Sequence, residues 1–74
     1  MTPNKMYELS DNVINIAKNI LYLRHSEDCP TSDEINSLVD EIIAYFNINC
    51  LSDDYIIYIR RRLKMRFGLS VNEI

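Results

Sequence analysis

Glycine and histidine each occur once in this 74-residue chain, and cysteine and proline twice each. A single glycine excludes the glycine-rich loops that cradle phosphates. One histidine and two cysteines offer none of the ligand spacings of a zinc site. No apolar run approaches the ~18 residues needed to span a membrane, and the opening MTPNKMYELS holds no apolar segment of signal-peptide length. A soluble intracellular protein is expected. Basic residues are scarce over most of the chain: residues 1–59 carry ten carboxylates against Lys5, Lys18 and Arg24, a balance of −7. Residues 60–74 reverse this with five cations against Glu73, a balance of +4. Overall acidity argues against loose, charge-driven nucleic-acid binding, although a local basic patch can still act.

What the chain does have is apolar content, 47% of residues, enough for a folded domain. A chain of this size buries roughly 60% of its unfolded surface, so its core is marginal and a cofactor cavity is hard to fit. No cofactor is expected. Apolar surface left over points to a partner or a homodimer. Cys29 and Cys50 flank the second expected helix, whose ~14 residues rise ~21 Å, whereas a disulfide needs Cα atoms within ~7 Å. Two free thiols in a reducing compartment, cytoplasmic or nuclear, are expected.

Periodicity predicts a single all-α domain over residues 1–74, a small three-helix bundle or helix-turn-helix-like arrangement, with helices at about 5–25, 32–47 and 53–67. In the first helix Met6, Leu9, Val13, Ile16, Ile20 and Leu23 alternate spacings of three and four, and Ile14 and Leu21 add a second line. This broad stripe reads either as a helix lying between two others or as a dimer seam. Ser26–Ser32 is a break, because Pro30 disfavours helix at Cys29. Thr31 with Glu34 three residues on forms a capping-box pattern. The second helix offers Ile35, Leu38, Val39, Ile42, Ile43 and Phe46 to a core, with Ile48 and Leu51 as plugs after it. Ser52 stands as cap of the third helix, Asp53 and Asp54 suit its first turn, and Ile56, Ile59, Leu63 and Phe67 form its buried line. Tyr55–Ile59 alone also fits a buried strand, but the cap, the length and the cationic last turns favour helix. Gly68 is read as a left-handed terminator. Ser70 followed by Glu73 resembles another helix start, and the end of the chain reads as a tail folded back through Leu69 and Val71.

Catalysis finds little support. His25 suits the negative end of the first helix, and Cys29, four residues on across a proline-containing loop, has no defined base. The acidic pairs Asp33/Glu34 and Asp53/Asp54 sit where a helix dipole explains them without a metal. No enzyme and no metal site are expected. The basic run Arg60, Arg61, Arg62, Lys64 and Arg66 has two readings. One is a set of last-turn cations, some paired with Asp40 and Glu41. The other is a binding surface in which Tyr58 joins these five residues, mixing arginine and aromatic side chains as protein hot spots do. At 100° per residue Arg60, Arg61 and Lys64 share one flank, and Arg62 and Arg66 the other.

Two resemblances attach to these residues. Pro30-Thr31, Asp33-Glu34-Ile35, Glu41-Ile42-Ile43, Leu51-Ser52, Ile59-Arg60-Arg61-Arg62-Leu63 and Phe67-Gly68-Leu69-Ser70 resemble the DEK C-terminal domain family over residues 30–74. That likeness implies a winged-helix-like fold touching DNA through a basic third helix. This chain departs from it in its acidity, in lacking a lysine after the final Leu-Ser, and in its added first helix. Tyr45-Phe46, Asp54-Tyr55-Ile56, Ile59, Leu63-Lys64 and Arg66 are similar to the helical hairpin of the sporulation-inhibitor Sda family, which implies docking on a kinase. The leading expectation is a small regulatory module that binds another protein through Tyr58, Arg60, Arg61, Arg62, Lys64 and Arg66, with a homodimer seam on the first helix. The alternative is a DNA-binding module of the DEK type.

Overall fold

The computed structural model describes residues 3–69. Three helices account for most of them: α1 over Pro3–Arg24, α2 over Ser32–Tyr45 and α3 over Asp53–Arg66. Among the described residues there is no strand, so the Tyr55–Ile59 segment is helical. No helix there is long and apolar enough to cross a membrane. The expected tail through Val71, and the helix start at Ser70 and Glu73, lie outside the described residues.

The helices run up, down and up. Tyr58 reaches Asp11 and Arg66 reaches Tyr22, so α1 and α3 advance in the same direction. His25 and Glu34 join the end of α1 to the start of α2, which returns between them. The core is one layer: Val13, Ala17 and Leu21 from α1, Ile35, Leu38, Val39 and Ile42 from α2, and Ile59 and Leu63 from α3. Ile48 and Leu51 pack against it as the expected plugs and Leu69 folds back onto it as expected, while Ile56 and Phe67 of the expected α3 line are only partly buried.

The buried line of α1 keeps Val13 and Leu21 of the expected stripe and adds Ser10 and Ala17, and the helix packs on both others. That line runs Ser10, Val13, Ala17, Leu21, with Ile14 on the α3 side and Ile16 and Ile20 on the α2 side, while Leu23 is 85% exposed. A helix facing two neighbours points the middle of its stripe between them. Ser10 is tolerated there because its hydroxyl donates to the Met6 carbonyl at 2.8 Å.

The helix ends decide the connections. Thr31 Oγ1 accepts the Glu34 N–H at 3.1 Å, the expected cap, but the Glu34 carboxylate turns away to His25 and does not complete the box. Ser52 occupies the cap position of α3 without a side-chain bond to the helix. α2 ends two residues earlier than expected. Asn47 adopts φ 54°, its N–H donates to the Ala44 carbonyl, and Ile48 N–H donates to the Ile43 carbonyl at 2.9 Å. This turn makes Ile48 the plug and leaves Phe46, expected in the core, 53% exposed. α3 closes the same way at Gly68, φ 73°, with Gly68 N–H on Met65 and Leu69 N–H on Lys64.

Two outcomes follow for chemical unfolding. Leu21→Ala should cost roughly 2–5 kcal/mol, against under about 0.5 for Leu23→Ala, because only the first empties core volume. Equal losses would restore the expected seam. A Cβ at Gly68 would meet nothing within 4 Å, so Gly68→Ala should register backbone strain alone, about 1 kcal/mol.

Candidate functional site

The basic run does not form one surface. A turn of 100° per residue spreads it around α3, and each neighbouring helix receives a different part. Arg60 faces α2 and donates to Asp40 at 2.9 Å, the pairing weighed for last-turn cations. Lys64 is only 4% exposed and is not available to a partner. Arg61 is exposed on the outer face. Arg62 and Arg66 turn toward α1, where they line a groove of about 660 Å³ with Lys18, Asn15, Asp11 and Met65.

Aromatic contacts hold the walls of this groove together. Tyr7 packs edge-on against Tyr55 and Tyr58, with centroids 5.2 and 5.3 Å apart. Tyr58 is half-buried and donates its hydroxyl to Asp11 Oδ1 at 3.1 Å, so it is a wall more than a projecting anchor. Burial, and then the Asp11 carboxylate, push the Tyr58 hydroxyl above its ordinary pKa. Farther along, Arg66 Nε donates to Tyr22 Oη at 3.0 Å, and Tyr22 leans on Phe67 at 5.1 Å. That bond fixes the guanidinium while its terminal nitrogens stay at an exposed edge. Met65, 61% exposed, puts an apolar side chain among the cations.

Sequence reading missed Lys18. Its signal was a polar line, Asn15, Lys18 and Tyr22, running at helical spacing beside Ile14 and Leu21.

It also missed the arrangement around His25. The ring, 16% exposed, sits between two carboxylates, with Nδ1 2.8 Å from Asp28 and Nε2 2.7 Å from Glu34. Hydrogen bonding to Glu34, then to Asp28, raises its pKa above the ordinary 6.5, and the imidazolium donates both N–H groups. The carboxylates lie on opposite sides of the ring, and among the described residues no three His, Cys, Asp or Glu side chains form a metal site. Cys29 and Cys50 are exposed free thiols.

The raised pKa sets the sign of a pH effect. The stabilisation is complete below the ordinary value of 6.5, where His25 is charged whether folded or not, and is lost as pH rises through the higher folded value. The urea midpoint should therefore fall between about pH 6 and pH 8, and His25→Gln should remove that fall. A midpoint equally pH-dependent in the variant would assign the effect elsewhere.

Set beside protein-family models, curated proteins and solved structures, the chain finds no match.

Proposed function

We propose that the protein is a non-enzymatic docking module that binds an acidic, partly apolar segment of another protein along the α1–α3 groove. One observation carries this reading: Lys18, Arg62 and Arg66 surround Met65 in the same groove. Cations steer and orient an acidic chain, and apolar and aromatic contacts hold it. A nucleic-acid backbone would use the cations and leave Met65 in water.

The DNA alternative has less support. Arg60 is engaged by Asp40 and Lys64 is buried, which leaves Arg61, Arg62 and Arg66 of the five cations facing outward. α2, packed beside α3, carries Asp33, Glu34, Asp40 and Glu41 with no cation, a field that opposes a polyanion. The non-enzymatic reading is supported at Cys29 as well. Both nitrogens of His25 are committed to carboxylates, so the imidazole is not placed as a general base.

Fluorescence anisotropy of two probes tests the proposal, one a labelled peptide of glutamate and leucine, the other a mixed-sequence DNA duplex, across about 50–200 mM salt. The peptide should bind, and Arg62→Glu or Met65→Ser should weaken it by about tenfold or more. Duplex binding with a steep salt slope, insensitive to Met65→Ser, would replace this reading with the DNA one. Binding of neither probe at the lowest salt would remove the groove as a docking site.

A further inference from the structure

α1 has a second groove on its other side, and its chemistry differs. Between α1 and α2 lies a recess of about 360 Å³ walled by Ile16, Ile20, Leu38 and Ile42. Tyr45, 83% exposed, and Phe46 stack edge-on at its α2 end with centroids 5.0 Å apart. Leu23 stands beside its α1 end as the most exposed large apolar side chain among the described residues. Leu23, Tyr45 and Phe46 do not serve the core, and the whole recess lies away from the cationic groove.

We infer that this face binds a second copy of the same chain, two α1–α2 hairpins packing antiparallel about a two-fold axis into a four-helix bundle. The argument for a second copy is the placement of charge in the groove. It is lined by one cation, Arg24, and one carboxylate, Glu41. Arg24 lies four residues beyond Ile20 along α1, and Glu41 three residues beyond Leu38 along α2, which runs the opposite way. Each charge is therefore displaced by about one helical turn, roughly 5 Å, to opposite sides of a midpoint near Ile20 and Leu38. A two-fold axis through that midpoint, lying in the face and perpendicular to the helices, brings Arg24 of each copy level with Glu41 of the other across the shared groove. An isologous interface needs this self-complementarity.

The α1 side of the contact is Ile16, Ile20 and Leu23, spaced four and three residues apart, the pattern of a helix seam. Inside one copy Arg24 is half exposed and leans toward α2, its guanidinium 3.9 Å from the Glu34 carboxylate, on the side where Glu41 of the other copy arrives. A dimer of this kind leaves Lys18, Arg62 and Arg66 exposed, so it does not depend on the docking reading above.

The test is the mass of the full chain in solution by light scattering after size exclusion, at about 10–300 μM, with helicity followed by circular dichroism. The expected species has twice the 8.7 kDa chain mass. Leu23→Gln should weaken the dimer by about tenfold or more without loss of helix, since that side chain contributes nothing to the core. Glu41→Arg should weaken it similarly, and adding Arg24→Glu to the same chain should restore it, which a merely unfolded variant would not do. A monomer at every concentration would overturn the inference. So would a dimer indifferent to Leu23→Gln and to the charge exchange, or one lost on Arg62→Glu, which would place the contact on the other groove.

Discussion

α1 has to bury one stripe against two helices at once, and most of the molecule's features descend from that demand. The stripe's centre points between α2 and α3, and Ser10, Val13, Ala17 and Leu21 occupy it. Three isoleucines lie on the flanks, Ile14 toward α3 and Ile16 and Ile20 toward α2, where they are half-covered. Among the described residues no fourth helix covers those flanks. The result is two open grooves on either side of α1, one largely apolar and one cationic.

Charge is sorted by the same geometry. The five cations of α3 are nearly contiguous in sequence, yet a helix points successive residues in different directions. The α2 side receives Arg60, which meets Asp40, and the α1 side receives Arg62 and Arg66, which meet Lys18. Like charges gathered in a groove with little carboxylate are favourable only if something acidic arrives, or if water and salt screen them. Asp11, the one acid lining that groove, is engaged by the Tyr58 hydroxyl.

Signals carried by local stereochemistry were the legible ones. Pro30 ended the first helical pattern, Thr31 capped the second, and Gly68 took the left-handed turn, because each depends on a residue's own backbone and hydrogen bonds. Asn47 was not read, although asparagine is the commonest substitute for glycine at such a turn, and the error carried Phe46 into the expected core. On α1 the period of the large side chains found Val13, Leu21 and the flanking isoleucines, but it passed over Ser10 and Ala17 and took in the exposed Leu23. The burial of Lys64 and the recruitment of Lys18 were illegible for another reason. Both depend on how the helices are rotated against one another, and no short stretch of sequence carries that. The clamp on His25 was half visible, with Asp28 one turn away in sequence and Glu34 nine residues off.

The two grooves differ in what they require of the chain. The walls of the α1–α2 recess belong to consecutive helices joined by a short connection, close together in sequence. The cationic groove is bridged by Tyr58 to Asp11 and Arg66 to Tyr22, pairs 47 and 44 residues apart. It therefore exists only once the whole fold has closed. Detachment of α3 in a local opening would erase that surface in a single step. Any cut or modification that loosens the third helix would then act as an off-switch for it.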